Sequence, residues 1–377
     1  MAIGLYVHVP FCPQHCPYCA FAVVTGHRDL YERYVEAVCG EMRQWRERMP
    51  IGSLQTVFIG GGTPSMLAPA QVQQLLDSAA SVFGLEAQAE ITLEANPGTV
   101  DAAKFVAIRQ AGVNRLSLGV QAFHDADLKN LGRLHSAAEA EQAIEAARQA
   151  GFAALSIDLI FSIPGSSRER WRQTLQRAID YQPEHISTYS LTIEEGTRFA
   201  QRYHRGRLQP VSEDDDAWAY AWSMEQLEVV GFEHYEVSNF ARPGCRSLHN
   251  WGYWHGAPYV GVGLSAHSFT GATRSWNTPD IRTYLDAVEH GHSPCSGQEV
   301  LDASTLRQEQ LWLQIRTCEG VRLAPCELRV LQQNAKFQGM LHSGLVVLDT
   351  SQLRLTPKGF LLADAIGVDV VDMLEQH

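Results

Sequence analysis

The sequence has no long apolar run and no surplus of positive charge. No stretch of it approaches the roughly 20 consecutive apolar residues that a membrane-spanning helix requires. It carries 30 Lys and Arg residues against 42 Asp and Glu residues, a formal net charge of −12. This negative charge disfavours non-specific binding to the phosphate backbone of nucleic acids. The first residues also lack the basic and apolar segments of a secretion signal. We therefore expect a cytoplasmic protein that does not bind nucleic acid.

From residue 3 to about residue 192, short β-rich runs alternate with amphipathic helical patterns. Strands separated by helices predict right-handed parallel crossovers, and repeated units of this kind form a complete or partial α/β barrel. We therefore predict an α/β fold with a partial (β/α)6-type TIM barrel. A doubly wound open sheet remains the alternative, because buried parallel strands have the same pattern in both folds. The six predicted strands are IGLYVHV, QTVFIGG, AEITLEA, NRLSLGVQ, ALSIDLIF and HISTYSLT.

Local signals mark the ends of several helices in this region. Capping boxes are predicted at Ser136 with Glu139 and at Ser166 with Glu169, where a hydroxyl and a carboxylate satisfy the first backbone amides. Two glycines, Gly112 and Gly151, follow helical patterns and suit a left-handed C-terminal cap.

The remaining sequence divides into three kinds of segment. A helix over DDDAWAYAWSMEQLEVVGF and a strand in HYEVSNF predict a further unit of the barrel. The following segment is rich in Gly, Trp and His and is typical of loop and short strand. Helical stretches and a β-ribbon pattern after residue 300 predict a smaller C-terminal α+β domain, similar to a winged helix. We expect domain boundaries that give a barrel over 1–240, a connecting segment over 241–300 and a C-terminal domain over 301–377.

Polar residues lie at or near the C-terminal ends of the predicted strands. Parallel α/β folds build their binding sites on that edge of the sheet. Glycine amides, carboxylates and a guanidinium that converge there predict a pocket for a small molecule. The features are the loop after the first strand, GGGTPS (60–65), Glu94, Gln121 and Asp158, together with Arg133 in LGRLH.

Three cysteines, Cys12, Cys16 and Cys19, lie within the first of these loops, and Phe21 stands where a fourth would be expected. In a reducing compartment such a cluster favours a metal or redox site over disulfides. A zinc ion completed by His8 or His15 is one interpretation. An iron-sulfur cubane held at three corners is the other, and it leaves one iron open to an exchangeable ligand.

The stretch CPQHCPYC resembles the cluster loop of the radical S-adenosylmethionine (SAM) superfamily, including the aromatic residue, Tyr18, before the third cysteine. GGGTP likewise resembles the loop of that superfamily that holds the amino group of SAM. The resemblance implies that Cys12, Cys16 and Cys19 bind a [4Fe-4S] cluster and that SAM ligates its fourth iron. It implies one-electron cleavage of SAM to a 5′-deoxyadenosyl radical. The residues implied around one or two SAM molecules are Tyr6, Tyr18, Gly61, Gly62, Thr63, Glu94, Gln121, Arg133 and Asp158.

Within that superfamily, nearly the whole chain resembles the group of oxygen-independent coproporphyrinogen III oxidases and HemW heme chaperones. The oxidase loop continues Cys-x-Cys after its third ligand, whereas in this chain Ala20 and Phe21 follow Cys19, and Phe21 is similar to HemW. The resemblance therefore implies a heme chaperone rather than an oxidase. A radical SAM enzyme that acts on a tetrapyrrole is the alternative.

The segment HNWGYW resembles the HNxxYW motif linked to heme binding in HemW proteins. A neutral imidazole can ligate iron, and aromatic rings can pack on a porphyrin. The resemblance implies heme as a third cofactor, an electron donor for the cluster, and an apo-protein that accepts heme. A respiratory, membrane-associated acceptor would bring the protein to a membrane surface. The candidate heme residues are His249, Asn250, Tyr253 and Trp254.

Overall fold

The structure is a computed structural model that describes residues 3–49, 52–152 and 154–375. The chain forms two compact units. The first comprises Met1–Val211 and Ala257–Val300, and the second comprises Ser212–Gly256 and Leu301–His377. This division differs from the predicted boundaries, because residues 212–240 group with the second unit and residues 257–300 group with the first. The chain therefore enters the first unit twice.

Strands and helices alternate along most of the chain. The strands are β1 (Ile3–Val9), β2 (Phe11–Cys12), β3 (Val24–Thr25), β4 (Leu54–Gly61), β5 (Leu85–Ala95), β6 (Arg115–Gln121), β7 (Ala154–Phe161), β8 (His185–Ser190), β9 (Glu233–Glu236), β10 (Asn239–Ala241), β11 (Tyr259–Val262), β12 (His267–Phe269), β13 (Thr273–Asn277), β14 (Cys295–Val300), β15 (Val321–Arg322), β16 (Val346–Asp349) and β17 (Gln352–Leu355). The α-helices are α1 (Tyr31–Arg48), α2 (Pro69–Phe83), α3 (Ala102–Gln110), α4 (Asp125–Asn130), α5 (Ala137–Gln149), α6 (Arg168–Asp180), α7 (Arg198–His204), α8 (Glu213–Val229), α9 (Leu248–Trp254), α10 (Ile281–Glu289), α11 (Ala303–Gln314), α12 (Pro325–Gln333), α13 (Ala335–His342), α14 (Pro357–Phe360) and α15 (Ala363–Glu375). Short 3-10 helices lie at Arg28–Leu30, Pro64–Met66 and Pro97–Thr99.

The first unit is built on a parallel sheet in which β1, β4, β5, β6, β7 and β8 lie side by side in that order. These are the six predicted strands, and the prediction is confirmed. Each strand pairs with the next one along the chain, as in a barrel, whereas a doubly wound sheet reverses its order at a switch point. The doubly wound alternative is therefore wrong, and the partial barrel is correct.

On its other edge, β1 pairs in parallel with β11, and β12, β13 and β14 continue the sheet antiparallel to one another. No pattern in the sequence predicted this extension. Because β1 is hydrogen-bonded to β4 and β11, its two edges are occupied before β8 could close the barrel. The barrel is consequently partial.

The inner face of the barrel is unusually polar for a buried surface. Side chains alternate between the two faces of a strand, and Leu5 and Leu93, both fully buried, belong to the outer, apolar layer. Burying one leucine contributes about 2 kcal/mol. The neighbouring inward positions carry Tyr6, which stacks on Phe58, and Glu94. This alternation places ionisable groups inside a water-poor barrel, where they require partners.

The local signals at helix ends are confirmed in all but one case. Ser136 and Glu139 form the predicted capping box of α5. The box predicted at Ser166 is wrong, because the Ser166 hydroxyl donates to Asp127 Oδ2 at 2.9 Å. Ser167 caps α6 instead, and its hydroxyl accepts the amide of Arg170. The two glycines that follow α3 and α5 adopt the predicted positive φ, at 112° and 84°.

The second unit contains a hairpin and a winged-helix-like domain. The helix predicted over the acidic segment is confirmed as α8, but the strands after it, β9 and β10, pair antiparallel with each other. The single strand predicted in HYEVSNF is therefore divided into two short strands. The order α11, β15, α12, α13, β16, β17 with an antiparallel β15-β17-β16 sheet is the winged-helix arrangement predicted for the C-terminal domain.

The HNWGYW segment forms the helix α9, where loop and short strand were expected. Residues four positions apart on a helix lie on the same face and can pack together. Two such pairs stabilise this short helix: His249 with Tyr253, whose ring centroids are 4.8 Å apart, and Trp251 with His255 at 4.3 Å. Among the described residues, no helix of the chain is long and apolar enough to cross a bilayer.

Candidate functional site

A cavity of about 580 Å³ opens at the C-terminal ends of the parallel strands in the first unit. Its position is the one that strand polarity predicted. It brings together residues from seven different segments that are separated by up to about 180 positions in the sequence. The predicted residues that line it are Cys12, Cys16, Tyr18, Cys19, Gly61, Gly62, Thr63, Glu94, Gln121, Arg133 and Asp158.

The cysteine loop connects β2 to β3, which pair in parallel and bring the two ends of the loop together. Within the loop, the amide of Cys19 donates to the carbonyl oxygen of Cys16 at 3.2 Å. Cys12 Sγ lies 3.3 Å from the Thr63 hydroxyl oxygen. All three cysteines are free and half-buried, and burial raises the pKa of the Cys12 thiol to about 11. The loop thus places three thiols beside one cavity.

These thiols fit a multi-iron cluster better than a single ion. In a cubane, each thiolate binds a different iron, so the sulfur atoms surround a volume and do not converge on one point. Within the described residues, no three His, Cys, Asp or Glu side chains converge as ligands of one metal ion. The histidines proposed for zinc are also engaged: His15 Nε2 donates to the Cys19 carbonyl oxygen at 2.9 Å, and His8 is bonded at both nitrogens.

His8 fastens the end of the cysteine loop to β1. Its Nε2 donates to the carbonyl oxygen of Ala22 at 3.1 Å, so in the neutral ring Nδ1 accepts from the Tyr6 hydroxyl at 3.0 Å. Burial lowers the pKa of His8, which keeps the ring neutral. Tyr6 is not among the residues that line the cavity. Its hydroxyl instead orients the imidazole that holds the loop, a role that the sequence did not predict.

The glycines after β4 allow close packing against β1. A Cβ on Gly61, whose φ is 113°, would lie 2.6 Å from the His8 ring, and a Cβ on Gly62 would lie 2.7 Å from the Pro10 carbonyl oxygen. Their amides are already bonded within the protein, Gly61 to Glu94 Oε2 at 3.0 Å and Gly62 to the Val9 carbonyl oxygen at 2.8 Å. These amides are therefore not the donors that glycine loops offer to phosphates.

Glu94 places a buried carboxyl group against the cavity. Burial raises its pKa to about 8, the charge of Asp158 adds to the rise, and the Gly61 amide opposes it. Two carboxylates that share a buried site repel one another, so one of them retains a proton near neutral pH. A cationic ligand would relieve this repulsion.

Asp158 is the more strongly hydrogen-bonded of the two carboxyl groups. Three hydroxyls donate to it: Ser117 at 2.6 Å, Ser187 at 2.7 Å and Ser156 at 3.0 Å. Burial raises the pKa of Asp158, and these hydroxyls counteract the rise. Ser117 also lines the cavity and was missed from the sequence, since a lone serine on a buried strand carries no signal of its own.

Arg133 is the guanidinium of the cavity. One Nη donates to the Gly119 carbonyl oxygen at 2.9 Å, and the other lies 3.9 Å from Cys16 Sγ. Its Nε is buried and has no hydrogen-bond partner within the described residues.

Beside Arg133, Gln121 adopts a left-handed φ of 70°, which is strained for a residue with a Cβ. Tyr18 packs against an apolar cluster that includes Ile160, so its ring forms one wall.

Two residues near Arg133 were not predicted from the sequence. Asn96 lines the cavity, and its side-chain oxygen lies 3.2 Å from His135 Nδ1. His135 Nε2 donates to the Val120 carbonyl oxygen at 3.0 Å, and burial lowers its pKa to about 4. This histidine, two positions after Arg133 in LGRLH, anchors the segment that carries the guanidinium, and its place in that motif was the available signal.

The four candidate heme residues lie outside this cavity, on α9 of the second unit. Asn250, Tyr253 and Trp254 are partly buried. His249 is only 4% exposed, and its Nε2 lies 2.8 Å from the Tyr253 hydroxyl. Burial lowers the pKa of His249 to about 3, so the ring is neutral, as iron ligation requires. Its Nε2 is nevertheless occupied by the hydrogen bond with Tyr253.

The partial barrel, the three-cysteine loop and the acidic cavity define a radical SAM protein, and the family model of the radical SAM superfamily matches residues 6–178. This superfamily implies a [4Fe-4S] cluster and SAM. The heme chaperone HemW of Lactococcus lactis is 34% identical over 366 residues, which covers 96% of this chain and 95% of the relative. The chain belongs to the HemW family.

Two further similarities extend this result. The heme chaperone HemW of Escherichia coli is 40% identical over 268 residues, 70% of this chain and 69% of the relative. The solved structure of coproporphyrinogen III oxidase (HemN) from Escherichia coli, described as a radical SAM enzyme, has a TM-score of 0.83 at 22% identity and covers 98% of this chain and 90% of that one. At this identity the oxidase supports the fold alone.

Proposed function

We propose that this protein is a heme chaperone that carries a SAM-ligated [4Fe-4S] cluster and transfers heme to an acceptor protein. The observation that carries the proposal is its similarity, over nearly the whole chain, to relatives named heme chaperones. The oxidase alternative has support from the fold only. Phe21, 68% exposed at the mouth of the cavity, stands where the oxidase loop has a cysteine.

Cys12, Cys16 and Cys19 would hold the cluster, each through its thiolate. The loop that carries them is closed at its base by the β2–β3 pair and tied to β1 by His8, so the three sulfur positions are preorganised. The remaining iron would face the cavity and take SAM as its ligand. When bound, the cluster and SAM supply one-electron chemistry at the sulfonium of SAM.

The cavity has the charges that SAM requires. SAM carries a sulfonium and an ammonium, and Glu94 and Asp158 supply two carboxyl groups for these cations. Because the amides of Gly61 and Gly62 are occupied, the loop of Gly61, Gly62 and Thr63 would accept the ammonium through carbonyl oxygens. The carboxylate of SAM would accept a hydrogen bond from a donor such as the buried Arg133 Nε.

Other predicted residues would shape the SAM site. Tyr18 would pack beside the cofactor, and Gln121 would direct its amide into the cavity from its strained backbone. Tyr6 would act indirectly through His8. Gln121, Arg133 and Asp158 are also the residues that would complete a second SAM site.

Heme would bind at α9, the helix formed by the HNWGYW segment, where aromatic side chains can pack on a porphyrin. An electron donor would reduce the cluster, and an apo-protein would accept the heme. If that acceptor is a respiratory membrane protein, the chaperone would work in the cytoplasm at the membrane surface.

Anaerobic reconstitution followed by heme transfer tests the proposal. We expect a protein with about four irons and four sulfides that binds heme and passes it to an apo-protein acceptor. The Cys12/Cys16/Cys19→Ser variant should stay folded and lose the iron-sulfur absorption. The matched control is Cys245/Cys295/Cys326→Ser, which removes three cysteines outside the cavity and should leave the cluster intact.

An assay for protoporphyrinogen formation from coproporphyrinogen III separates the two candidate functions. The reconstituted protein is incubated anaerobically with SAM and a reductant, and deoxyadenosine is measured in the same samples. A chaperone should form no protoporphyrinogen. Sustained turnover would reject the chaperone and favour the oxidase.

A further inference from the structure

We infer that His255, and not His249, supplies the axial nitrogen ligand to heme iron, an assignment that rests on the proposed heme-chaperone function. His255 follows the HNWGYW segment directly and forms the C-cap of α9. The two imidazoles therefore lie near the two ends of the same short helix, and their surroundings distinguish them.

The Nε2 atom of His249 is already engaged inside the unit. The residue is 4% exposed, and its Nε2 forms a hydrogen bond of 2.8 Å with the Tyr253 hydroxyl. Iron ligation through this nitrogen would break that bond and draw a fully desolvated side chain out of the unit. Its T-shaped packing on Tyr253 and its burial identify it as a residue that holds α9 together.

His255 has the geometry of a metal-ligating histidine. Its Nδ1 lies 3.0 Å from the carbonyl oxygen of Trp251. Because a carbonyl oxygen can only accept, Nδ1 carries the proton, and Nε2 in the neutral ring keeps its lone pair. Histidines that bind metals usually donate their second ring nitrogen to a backbone carbonyl or carboxylate in this way. The side chain is 31% exposed, so an iron atom can reach it.

This cap geometry alone is common, because His290 makes the same bond to the carbonyl oxygen four residues earlier, at the C-cap of α10. What distinguishes His255 is its aromatic and cationic surroundings. The indole of Trp251 lies 4.3 Å from its ring, and the guanidinium of Arg246 lies 4.8 Å from the centre of that indole. A porphyrin needs an imidazole, an aromatic contact and a cation for its propionates.

Glu319 is the competitor at this site. Its Oε2 lies 3.7 Å from His255 Nε2, and its Oε1 accepts from Arg246 at 3.3 Å. The carboxylate therefore stands where iron and a propionate would bind. Heme must displace it, and Glu319→Gln, which removes the charge and keeps the size, should tighten heme binding by about two- to tenfold.

Heme titration of the full chain, followed by the Soret band and by electron paramagnetic resonance of the ferric form, tests the assignment. His255→Ala should weaken binding at least tenfold and lose the histidine-ligand signature, and added imidazole should restore that signature. His249→Gln, which keeps a hydrogen-bonding partner for Tyr253, should bind as the wild type does. His290→Ala is the matched control.

The outcomes separate the assignment from the function on which it rests. Loss of the ligand signature in His249→Gln with retention in His255→Ala, both variants showing wild-type circular dichroism, would overturn the assignment and leave the chaperone proposal standing. A folded wild-type protein that binds no heme would overturn both. Rescue of His255→Ala by imidazole would support the assignment, since a purely structural defect does not respond to a free ligand.

Discussion

Glu94→Gln should flatten the dependence of stability on pH in the protein without cofactors. In the folded state, burial and the neighbouring Asp158 raise the pKa of Glu94 from 4.5 to about 8. Because the folded protein holds this proton more tightly than the unfolded chain does, the stabilising contribution is complete below the unfolded pKa. It is lost as the pH rises towards the folded pKa.

The size of the effect follows from proton linkage. Between about pH 5.5 and pH 7.5 the unfolded glutamate is ionised while the folded one is largely protonated, so the free energy of unfolding falls by about 1.4 kcal/mol per pH unit. Glu94 alone then accounts for roughly 2 to 3 kcal/mol over that interval. Glu41 and Glu236, whose pKa values burial also raises to about 7, contribute equally to wild type and variant and cancel in the difference.

Urea unfolding across this pH range, followed by circular dichroism and tryptophan fluorescence, measures the effect. We expect the curve of unfolding free energy against pH to be less steep for Glu94→Gln than for the wild type. Glu86→Gln, at an exposed position on the same strand, is the control and should follow the wild type. Parallel curves for Glu94→Gln and the wild type would refute the conclusion that this carboxyl group keeps its proton at neutral pH.

Three other substitutions test separate contacts. Gly61→Ala forces a Cβ to within 2.6 Å of the His8 ring at a positive φ and should cost about 2 to 4 kcal/mol; an unchanged melting temperature would contradict this packing. Gln121→Gly relieves a left-handed backbone and should raise stability by up to about 1 kcal/mol, yet weaken SAM binding measured by calorimetry on the reconstituted protein; tighter binding would show that the strained amide does not serve the site. Ser136→Ala removes a helix cap shared with Glu139 and should lower the free energy of unfolding by about 1 kcal/mol, which a thermal melt can detect or exclude.

The parallel core of the fold was predictable because its signals are local. Each of the six strands is a short apolar run with turn residues at its ends, and their sequential pairing follows from the rule for right-handed crossovers. The return of β11 to the edge of β1 was not predictable, because it depends on pairing between residues about 255 positions apart (Gly4 with Tyr259). The choice of Ser167 over Ser166 as a cap also depended on a distant group, the carboxylate of Asp127.

The candidate site, like the fold, could be predicted from the sequence only in part. Strand polarity was sufficient to bring the cysteines, Glu94 and Asp158 to one edge of the sheet. The hydrogen bonds of individual atoms could not be predicted from the sequence. The Tyr6 hydroxyl donates to His8, and the Gly61 amide donates to Glu94. The burial of His249 likewise depends on how α9 packs. Motifs identify which residues matter, whereas contacts decide what each one does.

The first unit needs two stretches of chain that are far apart in the order of synthesis. β1 leaves the ribosome well before its partner β11, which begins at Tyr259. At about 5 to 20 residues per second, roughly 12 to 50 s separate the two. During that interval the cysteine loop is attached to a strand with one bare edge. Every residue that lines the cavity precedes β11 in the sequence, so these residues are synthesised first and β1 gains its second neighbour only when β11 follows.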